Sequence, residues 1–314
     1  MIRSTSYKSK QFLWLVFKLV ILVLLSYFIY HTLANNSELS ITEFQKTLSN
    51  SKVTNPFIAL ILIAFTGLNW TLEIAKWKIL ASKIKPISFN EAVTQSLASH
   101  SFALITPNRI GEYGAKALFY KKANRKSVVL QNFVGNFYQL FVTMIIGYAG
   151  IYYLSDFTSN IYLENTYHLV ILGTFVFCLL ILFRHKLSFF NTWLRENFIK
   201  VNIKEDGWVL LLSLVRYLIF SHQFYFLVTV FDVEVSYIIC MSSIAAMYFI
   251  ASVIPMLSIF DFVVKGSVAV FVFSFLSMSP LIVLTITTLM WLFNFVLPAI
   301  IGSYFVLKFK PVTA

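Results

Sequence analysis

Long apolar runs constrain this chain more than any other feature. They lie at about 12–33, 56–80, 127–154, 168–183, 208–230 and 280–307, with lengths suited to crossing a hydrocarbon core about 30 Å thick as helices. They are continuous and do not alternate every second residue, so they predict helices, not the strands of a barrel. With 59% hydrophobic residues, 33 phenylalanines and only 12% charged residues in 314, an ordinary soluble domain is excluded. The prediction is an all-α polytopic membrane protein, a single integral membrane domain over residues 1–314 with about six full transmembrane helices. The first run, "FLWLVFKLVILVLLSYFIY" after "RSTSYKSK", is too long for a signal peptide and reads as a retained helix.

Charge sets the orientation. The chain carries 25 Lys and Arg against 13 Asp and Glu, and the basic residues are spread over loops, which the positive-inside rule explains and a nucleic-acid surface does not. Basic clusters at 3–10, at 76–85 with Lys76, Lys78, Lys83 and Lys85, at 121–126, at 184–204 and at 308–310 all fall on one side if both termini are cytoplasmic. Only Lys46 and Lys52 fall on the other side, beside Glu38, Glu43, Asp156, Glu164, Asp232 and Glu234.

That register holds only if two further apolar regions each return to the side they came from, which makes both of them re-entrant hairpins. The first, 88–120, enters from the cytoplasm. "SFNE" from Ser88 to Glu91 is a capping box that starts a helix, Pro107 stops it, and Thr106 caps a second helix with Pro107 at its first position. The second, 236–276, opens to the outside, breaks at Pro255 and restarts with Ser258 as cap and Asp261 in the first turn. Backbone that leaves the helix at membrane depth must be buried in protein or line a wet cavity.

The two breaks are alike. "ALITPNRIGEYGAK" and "ASVIPMLSIFDFVVK" each place a carboxylate four residues before a lysine, Glu112 with Lys116 and Asp261 with Lys265, the favourable helical order. Opposite orientation makes them halves of an inverted repeat, a plan shared by many secondary transporters. Arg109, Glu112 and Lys116 share a helix face, and Arg109 beside a helix N-terminus adds positive charge to a positive dipole end, which suits an anion. Arg216 lies within the span before the second hairpin, and Gln223 lies two turns along the same face. Asn132, Asn136 and Gln139 share a face of one span, and Asn69 and Glu73 a face of another; interhelical hydrogen bonding is the first reading of these amides. Trp14, Trp70, Trp77 and Trp208 read as interfacial anchors. Cys178 and Cys240 read as small buried hydrophobes, and the five histidines show no ligand spacing, so neither metal nor cofactor is expected.

These residues resemble a known family. "LITPNRIGEYGAKAL" is similar to the "LTPGRIGE" segment of the flippase-like membrane family that includes the transmembrane half of lysylphosphatidylglycerol synthase, with Pro107, Arg109, Gly111 and Glu112 at the matching positions. "SVIPMLSIFDFVVKGSVAV" resembles its second proline-centred segment, with Pro255, Asp261 and Lys265 nearby, although "SIFDFVVKG" replaces a glycine-rich run. The resemblance implies a lipid translocase of a bacterial cytoplasmic membrane, moving an anionic or zwitterionic phosphate-bearing head group in envelope lipid or glycan biogenesis. Arg109, Lys116, Lys265 and Arg216 would hold the head group, with Glu112 and Asp261 orienting them or reading a cationic part of the head group. Because the sequence stops at "KFKPVTA", without the synthase's soluble aminoacyltransferase domain, a transporter is expected and not an aminoacylating enzyme. Two alternatives are an intramembrane enzyme acting on a lipid-linked phosphate or sugar, and a non-transporting partner of envelope-biogenesis enzymes.

Overall fold

The computed structural model describes residues 46–49, 51–103, 110–158, 203–253 and 261–309, apart from the side chains of 110, 157, 158, 203 and 261–263. Every described element is helical: α1 (Pro56–Ser82), α2 (Phe89–Ala103), α3 (Ile110–Leu118), α4 (Arg125–Thr158), α5 (Ile203–Val230), α6 (Tyr237–Val253), α7 (Asp261–Ser274), α8 (Pro280–Trp291) and α9 (Leu297–Lys308). A single π turn, Leu292–Val296, joins α8 to α9. Among the described residues, four helices are long and apolar enough to cross a membrane: α1, α4, α5 and the α8–α9 unit. They match the runs expected at 56–80, 127–154, 208–230 and 280–307, and they make the chain an α-helical membrane protein. The expected spans at 12–33 and 168–183 lie outside the described residues.

Local sequence explains where these helices begin. Asn55 caps α1 through its side chain, accepting from the Phe57 amide at 2.9 Å with Pro56 at the first position, where a missing N–H costs nothing. Ser88 and Glu91 form the predicted box: the Ser88 amide donates to Glu91 Oε2 at 2.7 Å, and the Glu91 amide donates to Ser88 Oγ at 3.2 Å. The bonds from Ser88 hold the Glu91 carboxyl below its ordinary range. Each expected hairpin region holds two short helices packed on one another, α2 with α3 and α6 with α7. The breaks between them, with Thr106, Pro107, Pro255 and Ser258, lie outside the described residues.

Helix packing follows a reciprocal plan. α1 packs along α5, α2 packs on α9, and α6 packs on α4; the first arm of each short pair therefore lies against the span that follows the other pair. Small residues permit both exchanges. A Cβ on Gly302 would lie 2.1 Å from the Leu97 carbonyl oxygen of α2, and one on Gly150 would lie 2.6 Å from Ala245 Cβ of α6. α1 and α5 are antiparallel, with Lys52 bonded to Asp232 at one end (2.5 Å) and Lys83 to Asp206 at the other (2.8 Å). Lys52 and Asp232 are residues that the charge pattern assigns to the same side.

Among the described residues two apolar cores result. One gathers Leu62, Phe224, Leu227, Ile244, Met247 and Phe273; the other gathers Ile74, Trp77, Leu80, Tyr120, Val128 and Val209. Along both α1 and α5 the stretch between these cores is polar: Thr66, Asn69 and Glu73 on α1, and Ser213, Arg216 and Gln223 on α5, all buried or nearly so.

Candidate functional site

Arg216 organises this polar layer. It stands at residue 216 in a helix that begins at 203, and Asn69 stands at residue 69 in a helix that begins at 56. Each is thus halfway along its span, at the same register. Arg216 Nε donates to Asn69 Oδ1 at 2.9 Å, and Nη1 donates to Gln139 Oε1 at 3.2 Å and pairs with Glu73 Oε2 at 3.0 Å. Gln139 and Asn294 also match in register, at 139 in a helix from 125 and at 294 in a unit from 280. Asn69 Nδ2 donates to Asn294 Oδ1 at 2.8 Å, and Asn294 Nδ2 donates to Gln223 Oε1 at 2.8 Å. Four helical spans are tied together through amides and one guanidinium.

The π turn supplies part of this layer. Pro298 has no N–H to give the Asn294 carbonyl four residues back, and the Leu297 amide reaches instead to Leu292 O, five residues back. The carbonyl oxygen of Asn294 accepts from Trp70 Nε1 at 3.2 Å, and the carbonyl of Phe295 meets His100 Nε2 at 3.0 Å. π turns of this kind recur at functional positions.

A cavity of about 270 Å³ opens beside these groups. Its polar lining includes Asn69, Gln139, Arg216, Lys265 and Asn294, and its aromatic lining includes Trp70, Trp291 and Phe295. Among the described residues no carboxylate lines it. Glu73 lies behind Arg216, where it also pairs with Lys76 at 2.7 Å. Arg216 is thus held along Nε and Nη1, its Nη2 makes no hydrogen bond to the described residues, and its side chain keeps 18% of its surface exposed. A guanidinium fixed on one edge and unfilled on the other, in a cavity with a second cation, is arranged to receive an oxyanion.

The other expected cations and acids divide. Glu112 and Lys116 form a closed buried pair: Lys116 Nζ donates to Glu112 Oε1 at 3.0 Å and to Asn132 Oδ1 at 2.7 Å, and lies 4.3 Å from the centre of the Trp77 ring. Neither residue lines the cavity. Gly111 sits in the first turn of α3. Lys265 lines the cavity; Asp261 opens α7, with its side chain outside the described set. Arg109 and Cys178 also lie outside it, while Cys240 is buried as expected.

Three expectations are corrected. Lys76 is not a loop cation: α1 continues past it, and its side chain is 2% exposed against Glu73. Trp77 is not an interfacial anchor but a buried residue, 1% exposed, donating to Gln95 Oε1 at 2.9 Å. Trp70 likewise lines the cavity. Gln95 of α2 and Lys116 of α3 meet Trp77, Asn294 meets Trp70, and Gly135 of α4 lies beside Lys76, so neighbouring helices cover faces that the sequence leaves indistinguishable from a lipid or water boundary. Asn294 escaped notice within a run read as one apolar span; the proline four residues after it was the available signal.

Scans of family models, curated proteins and solved structures find no match to the chain.

Proposed function

We propose that the protein is a lipid translocase of a bacterial cytoplasmic membrane, with both termini cytoplasmic, passing a phosphate-bearing head group through the cavity beside Arg216. The observation that carries this reading is the guanidinium held by Glu73, Asn69 and Gln139 with one edge unfilled in a polar and aromatic cavity. Buried charge at membrane depth is costly, by about 2.5–3.5 kcal/mol even on lenient insertion scales, and its usual justification is a transport pathway or binding site.

In this reading residues 88–120 and 236–276 are re-entrant hairpins of an inverted repeat. The reciprocal packing of α2 on α9 and α6 on α4 supports it, as does the matched register of Asn69 with Arg216. Arg216 and Lys265 hold the phosphate midway. The motif that carries Arg109 assigns it to the same head group, and relative movement of the two repeats alternates access. An intramembrane enzyme on a lipid-linked phosphate would need a base at the reacting group, and Glu112, one of the two carboxylates expected in that role, is paired with Lys116 outside the cavity.

Reconstitution tests this directly. Arg216→Ala protein that inserts and is thermally stable should move fluorescent phospholipid across proteoliposomes at least about tenfold more slowly than the parent chain, as loss of a charge-assisted contact predicts. Movement at the parental rate would remove Arg216 from the pathway.

A further inference from the structure

The cavity beside Arg216 has two halves of different chemistry. One half is the polar layer itself, where Arg216, Asn69, Gln139 and Asn294 meet. From that layer the described lining extends one way. On α5 it begins at Arg216 and continues to Phe220 and Phe224, one and two turns along the same face and about 6 and 12 Å nearer the Lys52–Asp232 end. On α8 it runs from Asn294 back to Met290 and Thr287. α6 closes this second half with Met247 and with Tyr248, whose ring lies 4.8 Å from Phe220 and 6.4 Å from Phe224. Phe224, Met247 and Met290 also belong to the first apolar core. Beyond the layer in the other direction Glu73, Lys76 and Trp77 are buried, and none of them lines the cavity.

We infer that the cavity is built for a phosphate carried on a single hydrocarbon chain, with the phosphate at the polar layer and the first carbons of the chain between Phe220, Phe224, Met247 and Met290. This rests on the translocase reading above and adds the chemical class of the lipid. Both cations of the described lining, Arg216 and Lys265, serve the phosphate, so the assignment does not turn on whether that phosphate is a monoester or a diester. The volume suits one chain. At about 270 Å³ the cavity lies just under the roughly 300–1,000 Å³ usual for ligand sites and has room for roughly nine water-sized groups of about 30 Å³ each. A phosphate and the first few carbons of one chain fill it. A diacylglycerol phosphate needs room for a glycerol backbone and two ester groups before its chains begin.

The polarity of the second half separates the guests further. Ester carbonyls of a two-chain lipid, or hydroxyls of a sugar, would meet mainly phenylalanine and methionine side chains there and lose the partners they have in water. Thr287 gives little relief, because its hydroxyl donates to the Val283 and Leu284 carbonyls of its own helix at 3.0 Å each. Methylenes gain from the same surroundings.

The experiment uses the full chain in a neutral detergent at about pH 8, above the second phosphate ionisation near 6. Every phosphate probe is a monoester, so charge is equal among them. Calorimetric titrations with methyl, butyl and hexyl phosphate, each corrected for uptake by protein-free micelles, should show affinity rising about three- to fourfold per added methylene. Dihexanoyl phosphatidate, with twice the chain, should bind at least about tenfold more weakly than hexyl phosphate, and glucose 1-phosphate no more tightly than methyl phosphate. Met290→Gln puts an amide among the chain's contacts and should flatten the series; Arg216→Ala should reduce hexyl phosphate to the affinity of hexanol. If Met290→Gln does not fold, the parent chain's own series, with its two-chain and sugar counterparts, carries the test. Geranyl and decyl phosphate, equal in carbon number, distinguish the sources: tighter binding of the first supports an isoprenyl phosphate, and of the second a saturated alkyl phosphate. A flat series in the parent chain, or phosphatidate or glucose 1-phosphate as tight as hexyl phosphate, would overturn the single-chain assignment while the translocase reading survives. A parent chain that binds none of the phosphates overturns both.

Discussion

Lys116 is 1% exposed and spends its ammonium on a carboxylate, an amide oxygen and an indole face. With that many contacts, removing either member of the Glu112–Lys116 pair strands the other in a medium that cannot solvate it. Single substitutions Glu112→Gln or Lys116→Met should each destabilise the protein by about 3–5 kcal/mol, whereas the double substitution should cost far less. Reversible unfolding in detergent measures all three, and a double variant as unstable as the worse single would refute the pairing. The i,i+4 spacing made this pair legible from sequence. Glu73 and Lys76, at i,i+3, carried the same signal, but the lysine stood among basic residues at the end of an apolar run and was sorted with them. The expectation failed there because hydropathy sees the boundary of a run and not the neighbours that cover it.

At the scale of elements, the α8–α9 unit shows how a local break becomes a tertiary contact. Pro298 leaves the Asn294 carbonyl without its helical donor, and the Trp70 indole from α1 fills the vacancy at 3.2 Å. Trp70→Phe keeps most of the ring and removes the donor, so it should cost about 1–3 kcal/mol, the penalty of an unsatisfied buried carbonyl. Pro298→Ala supplies an amide to the same oxygen and should recover part of that loss in the double variant. Thermal stability of the four proteins decides it, since strictly additive effects would show that the indole and the proline do not share an acceptor. Helix starts were readable because capping is local: the Ser88–Glu91 box lies within four residues. The π turn had a local signal in Pro298, whereas the approach of Gly302 to Leu97 was not readable, because it depends on a segment about two hundred residues away.

For the molecule as a whole, the four matched spans were legible from their apolar runs, and the convergence of their amides was legible in part, from helix faces that could not all point to lipid. What sequence could not supply was which faces meet. The answer is a layer in which residues at matched register bond to each other: Asn69 with Arg216 at 2.9 Å, and Gln139 and Asn294 each one bond away. If α1 and α5 are equivalent members of an inverted pair, the Asn–Arg contact lies close to the relating axis, and exchanging its two residues should nearly preserve it. Asn69→Arg alone places two guanidinium groups face to face and should be strongly destabilising; Arg216→Asn alone leaves Glu73 with Lys76 as its remaining described ion-pair partner. The exchange variant Asn69→Arg/Arg216→Asn restores one cation and one amide, with the new arginine one helical turn from Glu73 on the same face. It should recover most of the thermal stability lost in Asn69→Arg. An exchange variant no more stable than that single substitution would mean that the matched register of α1 and α5 is a coincidence of helix ends, and the inverted-repeat reading would lose its support at the centre of the molecule.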